Sequence, residues 1–154
     1  MAAEGVKGRA TVHIEAPPEK VYDMISDVTR MGEWSPETHR CEWIDGATGP
    51  TEGARFKGSN RRGIVRWSTK PRVTVANAGK EFAFEVGAQG KEDTRWSYKL
   101  AAKDGGTDLT ESFEALRYTL FFKIVSPPKR RKVQLQRGIE TTLERIKQAA
   151  EGSA

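Results

Sequence analysis

Residues 94–115, TRWSYKLAAKDGGTDLTESFEA, carry the pattern that decides the fold of this chain. Apolar side chains alternate with polar ones in the two runs on either side of Asp104-Gly105-Gly106. Alternation with a period of two predicts a half-buried β-strand, and Asp-Gly-Gly is a hairpin turn signal. We therefore expect two antiparallel strands here, and the apolar residues on their inner face are Trp96, Tyr98, Leu100, Leu109 and Phe113.

The rest of the chain places more strands before this hairpin and a long helix after it. Strands are predicted over 9–15, 40–45, 54–60, 64–75 with an interruption at Pro71, and 80–86. Pro17-Pro18 opens a helix after the first strand, and Asp27 caps a second short one. An apolar stripe with a period near 3.6 predicts a helix from Pro127-Pro128 to about Ala150, and the segment 116–125 is interpreted as leading into it.

This order predicts an α+β fold. A curved antiparallel sheet of about seven strands wraps around the long C-terminal helix, with two short helices after the first strand. One helix cannot cover a whole sheet face, so the arrangement predicts a pocket rather than a solid core. We expect a single domain over residues 1–154, with flexible ends at 1–8 and 151–154.

Composition excludes several classes of protein. The chain of 154 residues has 26 Lys and Arg against 21 Asp and Glu, a net charge of +5. One cysteine, Cys41, excludes an internal disulfide and predicts a reducing, cytoplasmic setting. We find no apolar run of the ~18 residues that a membrane span needs, so membrane insertion is not expected. Nucleic-acid reader motifs are absent, so no nucleic-acid partner is expected. Nucleophile elbows, phosphate loops and dinucleotide glycine patterns are also absent, so no cofactor is expected.

Four stretches give the chain a family resemblance. They are DVTRMGEWSPE at 27–37, GARFKGSNRRG at 53–63, TRWSY at 94–98 with TESFE at 110–114, and RGIETTLERIK at 137–147. In these stretches and in element order the chain resembles the START-like, or helix-grip, superfamily (SRPBCC). It is most similar to the polyketide cyclase/dehydrase-like branch of actinobacterial type. The resemblance implies the helix-grip fold and places Trp34 at the mouth of the pocket.

Glu111 is the strongest candidate for chemistry, because strand parity places it on the pocket face with Leu109 and Phe113. A buried carboxylate is costly unless it is paired, so Glu111 either forms a structural ion pair or has a raised pKa and serves as a ligand anchor or general acid/base. Arg55, Arg62 and Arg66 are candidate partners. If catalysis occurs, the candidate residues are Glu111, Tyr98 and Arg62.

Aromatic residues are the second candidate feature, either as core packing or as a pocket wall. No metal site is expected, although Glu37, His39 and Cys41 alternate in a strand-like way; Cys41 is better explained as a small buried residue. The candidate ligand-binding residues are Trp34, Asn60, Trp67, Phe82, Phe84, Trp96, Tyr98, Glu111 and Phe113.

Three functions fit these observations. The first is binding or transport of a small hydrophobic molecule, such as a lipid or a polyketide-like compound, in the pocket. The second is an enzyme that cyclises or dehydrates a poly-keto chain, for which the pocket would supply orientation. The third is an accessory protein whose basic cluster Lys129, Arg130, Arg131 and Lys132 contacts an acidic partner; the same cluster could equally be a solvated helix face.

Overall fold

The computed structural model describes residues 6–88, 91–116 and 128–152. Strands and helices follow the predicted order, and the part of the 116–125 segment beyond Leu116 lies outside the described residues. The elements are β1 (Lys7–Ile14), α1 (Pro18–Ser26), a 3-10 helix (Val28–Glu33), β2 (Thr38–Ile44), β3 (Arg55–Arg62), β4 (Val65–Thr69), β5 (Arg72–Asn77), β6 (Glu81–Ala88), β7 (Lys91–Lys103), β8 (Gly106–Ala115) and α2 (Pro128–Gly152).

The strands form one curled antiparallel sheet in the order β1-β8-β7-β6-β5-β3-β2, with β4 also paired to β3. Strand β2 pairs with one edge of β3. The other edge of β3 pairs with both β4 and β5, which are separated only around Pro71. Proline has no N–H to donate to a ladder, which explains the interruption. The sheet therefore has seven rows, and the predicted helix-grip architecture is confirmed.

The hairpin of β7 and β8 forms at the predicted turn. Asp104 and Gly105 have φ values of 49° and 79°, the two left-handed residues of a type I′ turn. This two-residue turn pairs Lys103 with Gly106 and fixes the register along both strands. The predicted inner face of the hairpin is confirmed, because Tyr98, Leu100, Leu109, Glu111 and Phe113 are all buried.

The two helices after β1 begin as the sequence indicates. Pro18 is the first residue of α1, where the missing proline N–H costs no hydrogen bond. Asp27 caps the 3-10 helix, since its Oδ1 accepts a hydrogen bond of 3.1 Å from the N–H of Thr29. β1 begins at Lys7, and Val6 before it is buried.

Helix α2 lies across the concave face of the sheet, close to β1. The space beside Gly8 is filled by this packing, because a Cβ atom there would overlap Gln136 Oε1 and come within 2.9 Å of the Phe113 ring. Phe113, Leu135, Ile139 and Val6 form one apolar cluster under the first half of α2. The larger cluster joins its second half to α1 and the sheet. No helix in the described ranges is long and apolar enough to cross a bilayer.

The 3-10 helix is fixed to β2 by a second close approach, at Gly32. A Cβ atom on Gly32 would overlap the backbone carbonyl oxygen of His39. Gly32 and the His39 carbonyl belong to the backbone of two packed elements. A shift of the backbone at Gly32 would therefore also move its neighbour Met31, which lines the cavity described below.

We expect Gly32→Ala to lower the free energy of unfolding by about 1–3 kcal/mol, because overpacking forces a backbone shift. Gly49→Ala is the matched control, since a Cβ atom added there would have no other atom within 4 Å, and its change should stay within about 0.5 kcal/mol. Urea denaturation of both variants measures the difference. Equal midpoints would contradict the packing described here.

Candidate functional site

A cavity of about 600 Å³ lies between the sheet and α2. It forms because α2 packs against β1 and β8, while the concave surface of β3 to β6 curls away from it. Cavities of roughly 300–1,000 Å³ are the usual size of small-molecule sites. The volume is therefore sufficient for a drug-sized organic molecule.

The cavity wall is mostly apolar and partly aromatic. Phe84 packs edge-on against Phe56 with ring centroids 5.2 Å apart, and Trp96 lies 5.7 Å from the ring of Phe113. Of the predicted aromatic residues, Trp67, Phe84, Trp96 and Tyr98 line the cavity. The other apolar side chains of the wall include Val6, Met31, Phe56, Val86, Leu135 and Ile139.

Glu111 and Tyr98 provide a buried polar pair in this wall. They lie directly opposite each other on β8 and β7, and the Tyr98 hydroxyl donates a hydrogen bond to the Glu111 carboxyl. Glu111 is only 4% exposed, and its Oε1 has no hydrogen-bond partner among the described residues. A ligand in the cavity can form the hydrogen bond that this buried oxygen lacks.

Burial determines the protonation of this pair. Desolvation raises the pKa of Glu111 from 4.5 to about 8, and the hydrogen bond from Tyr98 lowers it less. Burial also raises the pKa of Tyr98 well above its ordinary value, and the neighbouring Glu111 carboxylate adds to that rise. Near neutral pH, therefore, Glu111 is mostly a neutral carboxylic acid and Tyr98 a neutral phenol.

The arginines expected as partners for Glu111 have other contacts. Arg55 Nη2 donates to the Lys70 carbonyl at 3.1 Å, and Arg62 Nη1 lies 3.6 Å from Glu37 Oε2. Arg66 is exposed on the opposite face of β4 from Trp67. Among the described residues no arginine forms an ion pair with Glu111, and Tyr98 takes the position of partner.

Asn60 is the second polar anchor of the cavity. It is buried on β3, and its Oδ1 accepts a 2.6 Å hydrogen bond from the Thr38 hydroxyl across the strand pair. That bond orients the side-chain amide beside Trp67, its neighbour on β4. Asn60 and Glu111 lie on strands separated by β5, β6 and β7, so the cavity has polar groups on two sides.

An ion pair lies at one end of the cavity, and sequence analysis did not identify it. Arg131 donates two hydrogen bonds, of 2.6 and 2.9 Å, to the two carboxylate oxygens of Glu37. Both side chains are largely buried, and the bidentate geometry is the strong form of this pair. It ties the first turns of α2 to the start of β2. Arg131 therefore already has an acidic partner within the chain.

A groove of about 410 Å³ adjoins the cavity at this ion pair. Pro36, Glu37, Gln134 and Gly138 line both spaces, so we call this boundary the mouth. Arg62 lines the groove and not the cavity. Of the three candidate catalytic residues, Glu111 and Tyr98 are adjacent and Arg62 lies at the mouth.

Three candidate ligand-binding residues lie behind the cavity wall in the packed core. Trp34 is 2% exposed, with the Arg30 guanidinium 5.0 Å from its ring. Phe82 packs edge-on against Tyr22 of α1, and Phe113 belongs to the cluster under α2. None of the three is part of the cavity lining.

The residues with metal-binding chemistry do not gather at the cavity. Within the described ranges, no group of three His, Cys, Asp or Glu side chains is placed to hold a metal ion. Cys41 is buried, and desolvation raises its pKa to about 12, so its thiol stays protonated. It fits the expectation of a small buried residue.

Comparison with known proteins places the chain in a family. The family described as "Polyketide cyclase / dehydrase and lipid transport" matches residues 5–151. A comparison with curated proteins found no match.

Solved structures of similar fold include a polyketide cyclase-like protein from Corynebacterium glutamicum. It is 30% identical, with a TM-score of 0.65, and the match covers 94% of this chain and 90% of that one. A Mesorhizobium loti protein is 15% identical over 96% and 98% of the two chains, with a TM-score of 0.71. The two-domain aromatase/cyclase StfQ of the steffimycin biosynthetic pathway is 12% identical over 96% of this chain and 51% of that one, with a TM-score of 0.76. The last two show similarity of fold alone. This chain belongs to the polyketide cyclase/dehydrase and lipid transport family, within the START-like superfamily.

Proposed function

We propose that this protein binds a small hydrophobic molecule, of lipid or polyketide type, in the cavity between the sheet and α2. The observation that carries the proposal is the apolar cavity of about 600 Å³ with the unpartnered Glu111 Oε1 in its wall. An apolar space with a few convergent polar groups is the usual form of a binding site. Membership of a family described by both cyclisation and lipid transport supports the same ligand class.

The polar pair suggests how such a ligand is oriented. A protonated Glu111 donates a hydrogen bond to a ligand carbonyl or hydroxyl oxygen, while Tyr98 supports the carboxyl from the neighbouring strand. Trp67, Phe84 and Trp96 offer flat surfaces for rings or a folded chain. A molecule with an apolar body and at least one oxygen satisfies both parts of the site.

Catalysis on a poly-keto chain is the second candidate function. The observation that favours it is a carboxylic acid kept neutral near pH 7, which can protonate or polarise a carbonyl held against it. Tyr98 and Glu111 would carry this role, and Arg62 would contact only a portion of substrate that reaches the mouth. Turnover of a poly-keto substrate would favour this function over simple binding.

Two expectations from the sequence remain proposals. A cytoplasmic location is one of them. The other is an acidic partner for the basic cluster at the start of α2; Lys129, Arg130 and Lys132 are available for it because they are exposed, whereas Arg131 pairs with Glu37.

Substitutions at Gly138 test whether ligands bind in the cavity. It lies in α2 at the mouth, and a Cβ atom added there would meet only Pro36 Cγ, at 3.7 Å. Gly138→Ala should therefore stabilise the fold by about 1 kcal/mol through helix propensity. The larger Gly138→Leu should fill the mouth and weaken binding of the neutral, carbonyl-bearing fluorophore Prodan by at least about tenfold, which corresponds to ~1.4 kcal/mol.

Fluorescence titration with Prodan measures the affinity, and native mass spectrometry of the purified protein detects any co-purified molecule. Gly138→Ala is the matched control and should bind Prodan as the unmodified protein does. Unchanged Prodan binding in Gly138→Leu would contradict the proposed site. Failure of the unmodified protein to bind any apolar probe would overturn the proposed function.

Glu111 makes the stability of the protein depend on pH. Its pKa is about 8 in the fold, and 4.5 is the ordinary value. Between these values the folded protein holds a proton that the unfolded chain releases, so stability falls as pH rises from about 4.5 to about 8.

Glu111→Gln removes this titration. The variant should be more stable than the unmodified protein at pH 8, by a few kcal/mol, and the gap should close toward pH 4.5. Thermal or urea denaturation across this range measures the gap; a gap that does not change with pH would refute the raised pKa.

Ligand affinity should follow the same titration. The unmodified protein should bind Prodan more weakly as pH rises through about 8, because an ionised Glu111 no longer donates to the ketone oxygen. Glu111→Gln replaces the carboxylic acid O–H by an amide N–H, which is a weaker donor and does not titrate. Its affinity for Prodan should therefore differ from that of the unmodified protein near neutral pH and stay constant from pH 6 to pH 9. Parallel pH profiles for the two proteins would exclude a role for Glu111 in binding.

A further inference from the structure

Exposed apolar side chains gather at one end of the molecule. The three large apolar residues that are exposed in the described ranges are Ile64, Val65 and Val133, at 98%, 46% and 50%. Ile64 lies in the two-residue turn between β3 and β4. Gly63 has φ of +60° at the first position of that turn, as in a type II′ turn, whose second position is open to most residues. An isoleucine that projects from a tight turn buries nothing in the fold, and exposed apolar side chains that lie together mark interaction sites.

The turn and the start of α2 are neighbours. The groove at the mouth is lined by Arg61, Arg62 and Gly63 from the hairpin and by Val133 and Arg137 from the helix. The exposed apolar residues of the two elements therefore border one surface, which opens beside the cavity. We call it the mouth surface and define it by residues 61–66 and 129–138.

The mouth surface is strongly basic. Three of the six residues in 61–66 and five of the ten in 129–138 are Lys or Arg, and neither stretch contains an Asp or Glu. Glu37, which lines the mouth, is bound by Arg131 and lies 3.6 Å from Arg62. Arg61 and Arg137 line the groove and are exposed, and the cations next to them in these two stretches, Arg66, Lys129, Arg130 and Lys132, are exposed as well.

We propose that the mouth surface docks on an anionic lipid bilayer, with Ile64 in the headgroup region and the surrounding cations against lipid phosphates. The combination favours a bilayer over other anionic partners. A bilayer interface accepts a projecting apolar side chain at any point and attracts basic residues at the same time. An acidic protein would need a pocket matched to Ile64, and the phosphates of a nucleic acid offer the isoleucine no apolar contact.

Docking in this orientation turns the mouth of the cavity toward the membrane. A hydrophobic ligand could then pass between bilayer and cavity with little exposure to water. Only the turn would enter the headgroups, which is compatible with the absence of a membrane-spanning helix in the described residues. The docking itself does not depend on the proposed ligand-binding function, because vesicle binding needs no occupied cavity.

Vesicle co-sedimentation tests the proposal. The unmodified protein should bind vesicles of phosphatidylcholine and phosphatidylglycerol (7:3) in 0.1 M NaCl at least tenfold more tightly than pure phosphatidylcholine vesicles. Arg61→Glu/Arg66→Glu should reduce binding at least tenfold, since each basic residue near the surface contributes roughly fivefold. Ile64→Ser should reduce it at least fivefold and leave thermal stability unchanged, because the side chain is 98% exposed.

The matched control is Lys99→Glu/Lys103→Glu, which makes the same change of charge. β7 runs antiparallel to β3, so its Lys103 end lies at the opposite end of the sheet from the turn at Ile64. This control should bind within twofold of the unmodified protein. Binding that is equally weakened in both double variants would show an effect of net charge alone and overturn the proposal.

Two other results would also overturn it. One is failure of the unmodified protein to bind the anionic vesicles. The other is normal vesicle binding by Ile64→Ser together with loss in the arginine variant, which would show that the vesicles are bound through charge alone, without Ile64 in the headgroup region. Prodan binding without vesicles is measured in parallel. Retention of Prodan binding in variants that no longer sediment with vesicles separates the docking surface from the cavity.

Discussion

The position of α2 relative to the sheet is the constraint on which the rest of the structure depends. The helix is held at both sides of the sheet and touches little between them. It packs along β1 on one side, and the Arg131–Glu37 ion pair ties its first turns to the start of β2 on the other. Because the rows between those edges curl away from the helix, they enclose an apolar space instead of packing on it. A Cβ atom at position 8 would displace the Gln136 side chain and the Phe113 ring, which packs under α2.

Within the cavity, burial determines the state of the polar groups. Tyr98 gives Glu111 one hydrogen bond, which cannot replace the hydration that a carboxylate loses, so the carboxyl holds its proton. Leaving Oε1 without a partner costs stability that a fully apolar residue at this position would not cost. Such a cost at the wall of a cavity is characteristic of functional sites, where a polar group is kept for a ligand and not for the fold.

The sequence predicted the fold well and the site in part. Alternation identified the strands, Pro71 marked the division between β4 and β5, and the apolar stripe identified α2. Parity also placed Glu111 and Phe113 on one face, but parity says nothing about which part of that face the helix covers. Phe113 is covered by Leu135 and Ile139, whereas Glu111, two residues earlier, faces the cavity. The Glu37–Arg131 pair joins residues 94 positions apart and leaves no local signal in the sequence.

The basic start of α2 illustrates how helical rotation divides one run of charges between two roles. Successive residues of a helix point about 100° apart. In Lys129-Arg130-Arg131-Lys132 the third side chain consequently points to Glu37 and is largely buried, while its neighbours are exposed. Arg131 lines the cavity, and its charge is neutralised by Glu37. The neighbouring cations keep their charge at the surface, beside a turn that presents Ile64. One turn of helix thus serves both the enclosed cavity and the outer surface at its mouth, so a change in how α2 sits would affect the two together.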